Sequence, residues 1–288
     1  MDAKFEDVRR CLRPEAARAI ENATPELLCE IRLRAGRPLY ITCGAENIAL
    51  AYICRETDVA YAVDMLCGGS RHTYGEMIRR GYIPGANGVR AGICGEAVNG
   101  ERGVEGMRRI TSVNLRIPHA VTGAADDLIK LLAADAFSLG ALIYSPPMEG
   151  KTTLLRDAAA RLSSPPYKKR CCVVDTRGEI YIKELFDGTD AAPDFLTGYP
   201  KGEGIECACR SMSPQLIFTD ELGGGDCPAV LAAQNCGVPL IATAHAASFA
   251  SLMLRPPFKM LYEHNVFGHY LRLERSGDKI SLTEENIV

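Results

Sequence analysis

A short apolar run followed by a loop that ends in glycine, lysine and two threonines is the strongest chemical signal in the sequence. Residues 141–144 have the composition of a buried strand, and a predicted helix begins at Thr152. Backbone N–H groups of such a loop and of a helix N-terminus can surround phosphate oxygens. Gly150 permits a close approach of the backbone, Lys151 can reach β- and γ-phosphates, and the Thr152 hydroxyl can ligate Mg²⁺.

The predicted nucleotide-binding residues all lie in this loop and at the start of its helix. They are Ser145, Pro146, Pro147, Met148, Glu149, Gly150, Lys151, Thr152 and Thr153, and the expected cofactors are ATP and Mg²⁺. Two of them depart from the pattern G-x-x-x-x-G-K-[ST]. Ser145 replaces the first glycine and would be strained at a positive φ, and the Glu149 carboxylate would repel phosphates unless it points outward. We therefore expect a nucleotide-competent loop with somewhat altered geometry.

Acidic and imidazole side chains follow two further apolar runs. One run ends in Asp220 and Glu221, and the next ends near Thr243 and His245. Ligands of open α/β sheets bind at the carboxyl ends of the strands, so these groups are expected near the phosphates. We assign Asp220 to Mg²⁺ together with Thr152, and Glu221 to the attacking water as a general base. His245 is assigned to the γ-phosphate, with Thr243 assisting.

A fourth strand end carries three charged residues. The apolar residues 171–174 lead into Asp175, Arg177 and Glu179. We expect this tip beside the phosphate loop, where either acid could position water or metal.

Composition and charge exclude several classes of protein. The chain is 47% hydrophobic and 24% charged, which excludes wholesale disorder. Its net charge of -3 gives no bulk attraction for nucleic acid, so no nucleic-acid partner is expected. No apolar run approaches the ~18 residues that span a bilayer, and the N-terminus is acidic where a signal peptide would be basic. We therefore predict a cytoplasmic location.

The twelve cysteines contain no C-x-x-C pair, which a structural zinc site would favour. Several lie inside apolar runs, where cysteine acts as a small hydrophobic residue. We predict reduced core thiols.

The elements that must position these groups fall into two halves. At about 150 residues per domain, 288 residues predict two domains, and we place the boundary near Ser138. Residues 1–138 read as a small α+β domain, with helices over 5–20, 59–66, 74–80 and 126–137 and strands over 30–34, 39–42, 89–93 and 112–117. Residues 139–288 alternate strands (141–144, 171–175, 216–219, 240–243) with helices (152–162, 226–236). Continuous apolar strands separated by helices predict an α/β domain whose parallel sheet is covered on both faces.

With these residues assembled, the chain resembles the stage III sporulation protein AA family, a relative of the ATPases that drive type II and type IV secretion. The resemblance extends over nearly the whole chain. Its most specific points are residues 30–38, 82–85, 88–92, 114–118, 210–214, 219–221 and 242–245.

The resemblance implies a RecA-like P-loop NTPase core at 139–288, a smaller N-terminal α+β domain at 1–138, and nucleotide between them. By the same resemblance, Asp175 and Glu179 match an aspartate box, Asp220 and Glu221 a Walker B element, and His245 a histidine box. Arg90, Arg116 and Arg210 are then the arginines expected to touch phosphates from the N-domain or a neighbouring subunit. The catalytic residues implied are Glu221, Glu179, His245, Arg116 and Arg210.

The resemblance also implies a setting. It predicts a homo-hexameric ATPase in the mother cell of a spore-forming bacterium, held at the membrane through a membrane-embedded sporulation channel that it powers. Two alternatives remain open from the residues themselves. One is a nucleotide-binding scaffold with little hydrolysis, suggested by Ser145 and Glu149, and the other is a RecA-like ATPase that depends on nucleic acid.

Overall fold

Two separately packed units make up the chain, and the division falls after His119. The computed structural model describes residues 3–23, 28–44, 46–85, 88–100, 103–276 and 279–285. Within these residues, no helix combines the length and the apolar composition that crossing a membrane requires.

The first unit is an antiparallel sheet with helices packed on it. Its helices are α1 (Ala3–Arg9), α2 (Pro14–Asn22), α3 (Glu56–Leu66) and α4 (Gly75–Arg79). Its strands are β1 (Leu28–Arg34), β2 (Pro38–Cys43), β3 (Glu46–Ile53), β4 (Tyr82–Pro84), β5 (Arg90–Gly100) and β6 (Gly103–Arg116). In the described part the strand order is β3-β2-β1-β6-β5-β4, and each neighbouring pair is antiparallel. The predicted hairpin of 30–34 with 39–42 is confirmed as β1 and β2.

The single helix predicted over 5–20 is wrong, because the chain breaks before Pro14. Proline lacks an N–H and fits the first turn of a helix, so it begins α2 instead of continuing α1. Arg13 before it has the extended backbone that a following proline favours, with φ -66° and ψ 152°. Phe5, Val8 and Ile20 are nevertheless all buried in one core, which is why the apolar spacing looked continuous.

The second unit is an α/β domain. Its helices are α5 (Asp126–Ala134), α6 (Lys151–Ser163), α7 (Lys183–Phe186), α8 (Lys201–Cys207), α9 (Cys227–Asn235), α10 (Phe249–Met253) and α11 (Pro256–Glu263). Its strands are β7 (Ala141–Ser145), β8 (Cys171–Asp175), β9 (Asp194–Thr197), β10 (Leu216–Thr219), β11 (Leu240–His245), β12 (His269–Ser276) and β13 (Lys279–Glu284). A π-helical turn, Ala208–Met212, continues α8.

The sheet of this unit brings four functional strand ends to one edge. In the described residues its order is β13-β12-β7-β11-β10-β8-β9, and every pair is parallel except β12 with β13. Alternate residues of β7 enter two different cores, with Ile143 in one and Tyr144 in the other. This confirms a parallel sheet covered on both faces, and it aligns the carboxyl ends of β7, β11, β10 and β8.

The division after His119 lies earlier than the boundary placed near Ser138. Helix α5 accounts for the difference, because Leu128, Ile129 and Leu132 are buried in a core of the second unit. The Ala125 N–H also donates to Asp157 Oδ2 of α6 at 2.8 Å. Residues 120–138 therefore pack with the α/β domain.

Candidate functional site

The loop after β7 has the geometry of a phosphate cradle. Gly150 immediately precedes α6 with φ 106°, a left-handed conformation that side chains rarely adopt. A Cβ at this position would also lie 2.9 Å from Ile280 Cδ1, so that side chain would have to shift. Ser145 ends β7 without a positive φ. The strain expected for a serine at the first glycine position is therefore absent at Ser145.

Lys151 is buried at the start of α6 and turned into this loop. Its Nζ donates to Ser145 O at 2.9 Å, Ser145 Oγ at 3.0 Å and Pro146 O at 2.7 Å. Burial lowers the pKa of Lys151, and the charges of Glu221 and Glu149 oppose that shift. The three bonds use the three donors of the ammonium, so any further ligand of Lys151 would have to replace one of these loop oxygens.

The Glu149 carboxylate is hydrogen-bonded to a neighbouring strand. Its Oε2 accepts a hydrogen bond from the Arg275 N–H of β12 at 3.2 Å. The carboxylate is thus tied to a neighbouring strand, the outward arrangement that a phosphate loop requires. Met148 beside it is 92% exposed and has φ 68°, so the tip of the loop is open to solvent.

Asp220 and Glu221 form a turn at the end of β10. Asp220 is 2% exposed, and its Oδ2 has no hydrogen-bond partner within the described part of the chain. Burial raises the pKa of Asp220, while the charge of Lys201 opposes the rise. A buried, unpartnered carboxylate oxygen at this edge fits the requirement of Mg²⁺ for oxygen ligands.

Glu221 is held from three directions. Its N–H donates to Thr243 Oγ1 at 2.9 Å, its Oε1 accepts from His245 Nε2 at 2.7 Å, and its Oε2 pairs with Arg177 at 2.7 Å. Burial alone would raise the pKa of Glu221, but the hydrogen bond from His245 and the charges of Arg177 and Lys201 hold it below its usual value. Glu221 is therefore a carboxylate at neutral pH and can accept a proton.

His245 lies at the end of β11, next to β7 and β10 in the sheet. Nε2 lies 2.7 Å from Glu221 Oε1, and in the tautomer that carries its proton on Nε2 the other ring nitrogen, Nδ1, is an acceptor. Nδ1 is buried with no partner among the described residues. Asp220 Oδ2 and this atom are thus both buried without a partner among the described residues, on neighbouring strand ends. The arrangement fits a polar ligand such as a hydrated phosphate.

The Asp175 carboxylate accepts hydrogen bonds from the backbone that follows β8. Its Oδ1 accepts the Glu179 N–H at 2.8 Å, and its Oδ2 accepts the N–H groups of Ile180 and Tyr181 at 2.8 and 3.2 Å. These bonds give Asp175 a structural role in fixing the turn, whereas the sequence suggested water or metal. Glu179 is held in the same turn, since its carbonyl accepts from Arg156 Nε at 2.8 Å.

The two predicted catalytic arginines each lie close to a glutamate of their own unit. Arg116 is on β6 of the first unit, where its Nε lies 3.2 Å from Glu30 Oε1. Arg210 is on the π-helical turn, 79% exposed, and its NH2 lies 3.8 Å from Glu206 Oε2. Within the second unit, no contact described for Arg210 reaches Lys151, Asp220 or Glu221.

Sequence reasoning missed Lys201. Its side chain is only 10% exposed, and its Nζ lies 3.4 Å from Asp220 Oδ1. The same Nζ donates to the carbonyl oxygens of Asp220 and of Glu221, the latter at 2.7 Å. The sequence offered one weak signal for it. Lys201 follows Pro200 at the start of a helix, where the helix dipole disfavours a cation, so a lysine at this position suggests a specific acidic or carbonyl partner.

The fold and the site define a class, the RecA-like P-loop fold of the secretion ATPases. The ATPase DotB of Legionella pneumophila matches with a TM-score of 0.64 at 15% identity, over 93% of this chain and 78% of that one. The pilus retraction motor PilT with bound ADP matches with a TM-score of 0.64 at 15% identity, over 92% and 80%. At this identity the likeness concerns the fold alone, and it confirms the predicted fold class.

The sequence comparisons give the family. The family model described as "Sporulation stage III, protein AA" matches residues 3–283. Stage III sporulation protein AA of Bacillus subtilis (strain 168) is 36% identical over 257 residues, which cover 86% of this chain and 82% of that protein. The chain belongs to the stage III sporulation protein AA family, as the resemblance predicted.

Proposed function

We propose that the chain is a Mg²⁺-dependent ATP hydrolase. The observation that carries the proposal is that Lys151, Asp220, Glu221 and His245 lie at the same edge of the sheet. His245 ends β11, the two acids directly follow β10, and Lys151 opens α6 after the loop that follows β7. A buried cation, a buried carboxylate with a free oxygen and a charged general base are what phosphoryl transfer to water requires.

The phosphate loop would bind the nucleotide. Lys151 exchanges Ser145 and Pro146 oxygens for those of the β- and γ-phosphates, at little cost because the same three donors stay satisfied. Backbone N–H groups of the loop and of the first turn of α6 surround the phosphates. Thr152 and Asp220 would hold Mg²⁺, which supplies positive charge where negative charge develops.

Glu221 would take the proton of the attacking water. Its lowered pKa keeps it charged at neutral pH, and the bond from His245 fixes the direction of the carboxylate. The orphaned Nδ1 of His245 can meet the water or a phosphate oxygen through one hydrogen bond. Glu179 and the arginines Arg116 and Arg210 are proposed to complete the site, the arginines through neighbouring subunits.

We further propose that six copies form a ring motor that powers a membrane-embedded complex during sporulation. Support comes from the family, which is a sporulation family, and from the fold shared with PilT, a pilus retraction motor. The protein would act in the mother-cell cytoplasm, at the membrane through its partner. An unassembled subunit would then turn over slowly, since its arginine contacts come from neighbours.

Phosphate release from Mg²⁺-ATP over a series of protein concentrations tests this proposal. Turnover that rises faster than linearly and is lost in Lys151→Ala is expected. Lys259→Ala is the matched control, because Lys259 is 61% exposed and pairs only loosely, at 3.7 Å, with Glu263; it should retain turnover. Equal phosphate release by the wild type and Lys151→Ala would refute hydrolysis at this site.

A nucleotide-binding scaffold with little hydrolysis is the second candidate. One observation favours it: both carboxylate oxygens of Glu221 are already paired, one with His245 and one with Arg177. It predicts that ATP binds with a measurable affinity that Lys151→Ala abolishes, while phosphate release stays at background at every protein concentration.

A further inference from the structure

We propose that Lys201 is a positioning residue that holds the turn of Asp220 and Glu221 in its working geometry. This inference rests on the proposed function, since it concerns how the acids of the same site are presented. In the described structure the Lys201 ammonium has polar contacts with the turn: two main-chain carbonyls and one carboxylate oxygen, Oδ1 of Asp220. It therefore acts through these acids and would not itself touch the nucleotide.

The direction of the two carbonyls shows what Lys201 does to the backbone. In an extended strand, successive residues face opposite sides, so consecutive carbonyls diverge. Here the carbonyls of Asp220 and Glu221 converge on one ammonium. The backbone achieves this with φ 34° at Glu221, a conformation that costs energy in a residue with a side chain. The ammonium supplies the attraction that compensates this cost.

The opposite side of the turn is held by β11. The N–H of Glu221 donates to Thr243 Oγ1, and the Leu222 N–H donates to Thr243 O at 2.7 Å. Lys201 donates hydrogen bonds to the two carbonyls, and the oxygens of Thr243 accept hydrogen bonds from the two N–H groups. The turn is therefore held from both faces. Without Lys201, no described group would bind the two converging carbonyls, and the unfavourable φ would depend on the amide bonds to Thr243 and on the side-chain contacts of Glu221.

A positive charge at this place also suits the carboxylate. Asp220 is almost fully buried, and a buried carboxylate needs a paired cation or strong hydrogen bonds. Lys201 lies beside Oδ1 and leaves Oδ2 unpartnered. The cation thus balances Asp220 on one side while the other oxygen remains available for a ligand.

The location of Lys201 on α8 is otherwise unfavourable. It is the first residue of the helix, where the dipole favours acids over bases. A solvent-exposed lysine at this position would gain no stabilisation from the helix dipole, yet the Lys201 side chain is buried against the turn. The geometry therefore points to a role in positioning the acids.

The test combines turnover with amide exchange. Lys201→Met keeps the length of the stem and removes the charge, and Lys201→Arg keeps the charge. We expect Lys201→Met to lower kcat about 100-fold, the effect of a catalytic group displaced by about 1 Å, while KM for ATP changes less than about threefold because Lys151 still binds phosphate. Lys201→Arg should recover part of kcat. Lys259→Met, the exposed control, should match the wild type.

Amide hydrogen exchange at Glu221 and Leu222 is the readout that does not depend on hydrolysis. It should accelerate at least tenfold in Lys201→Met, remain near wild type in Lys201→Arg, and be unchanged in β8 of every variant. Equal exchange and equal kcat in Lys201→Met and the wild type would overturn the positioning role. General acceleration across the sheet would overturn it too, by showing that Lys201 stabilises the whole domain.

The two proposals fail in different ways. If the wild type releases no more phosphate than Lys151→Ala, hydrolysis is refuted, and amide exchange alone decides the role of Lys201. If the wild type hydrolyses ATP and Lys201→Met does so equally fast, hydrolysis stands and the positioning role falls.

Discussion

Replacing Asp175 with asparagine tests whether this acid fixes the turn after β8 or binds metal. The carboxylate accepts three backbone N–H groups, one at Oδ1 and two at Oδ2. In Asp175→Asn, one oxygen becomes an NH₂ donor. The amide oxygen is expected to face the N–H groups of Ile180 and Tyr181, because that orientation keeps two of the three bonds. The NH₂ then opposes the N–H of Glu179, which loses its acceptor.

The size of the effect follows from that one donor. An unsatisfied buried group costs about 1–3 kcal/mol, so the variant should lose about 1–3 kcal/mol of unfolding free energy. For a unit of this size, about 2–4 °C of Tm corresponds to each kcal/mol, which gives a drop of about 2–12 °C. The measurement is thermal unfolding of the full chain followed by far-UV circular dichroism.

Asp194→Asn is the matched control, because Asp194 pairs with Cys172 of β8 in the sheet but is exposed. It should shift the unfolding free energy by less than about 0.5 kcal/mol. The reasoning is refuted if Asp175→Asn unfolds like the wild type but requires much more Mg²⁺ for half-maximal turnover. That outcome would make Asp175 a metal ligand.

Three further variants probe the site itself. Arg177→Ala removes an ion pair worth about 0.5–1 kcal/mol from Glu221 Oε2. The freed oxygen can then accept the proton of the water more readily, so steady-state kcat should rise about two- to fivefold. A tenfold fall in kcat would mean that Arg177 serves the reaction directly. Ser145→Gly removes one acceptor that competes with phosphate for Lys151, worth about 0.5–1.5 kcal/mol, so equilibrium titration with a fluorescent ATP analogue should show binding about two- to tenfold tighter, and weaker binding would contradict this account. Glu149→Gln should leave KM for ATP within about twofold, because that carboxylate is bonded to the backbone of β12; a larger fall in KM would show that its charge does repel phosphate.

Sequence periodicity predicted the central strands well because their burial is complete. Strands β7, β8, β10 and β11 are apolar along nearly their whole length, and the strands predicted at 141–144, 171–175, 216–219 and 240–243 end within two residues of the observed bounds. Edge strands gave no such signal. β9 has four residues with mixed burial, and β3 is exposed or half-buried throughout.

The longest strands were underestimated for a related reason. β5 and β6 extend as a hairpin well beyond the core, and only the end near Ile93 and Val113 is buried. The predicted strands 89–93 and 112–117 match that buried end. Beyond it, backbone pairing continues between residues whose side chains face solvent, and hydrophobic patterning carries no information about it.

The chemistry of the site followed from motifs wherever the contact is local. The loop and Lys151 are adjacent in sequence, and both acids follow one strand. Lys201 was invisible because it meets Glu221 across 20 residues and through main-chain oxygens, which no side-chain pattern encodes. The φ of Ser145 was likewise a property of the folded loop, since serine is compatible with both signs of φ at different cost.

Glu221→Gln, compared with the wild type for both ATP binding and phosphate release, tests the central claim most directly. The substitution preserves the size of the side chain and removes its ability to accept a proton. We expect a fluorescent ATP analogue to bind both proteins with equal affinity, within about twofold, while phosphate release falls by about 10²- to 10⁴-fold in the variant. Phosphate release at the wild-type rate in Glu221→Gln would contradict the assignment of Glu221 as the general base and with it the proposed hydrolytic site.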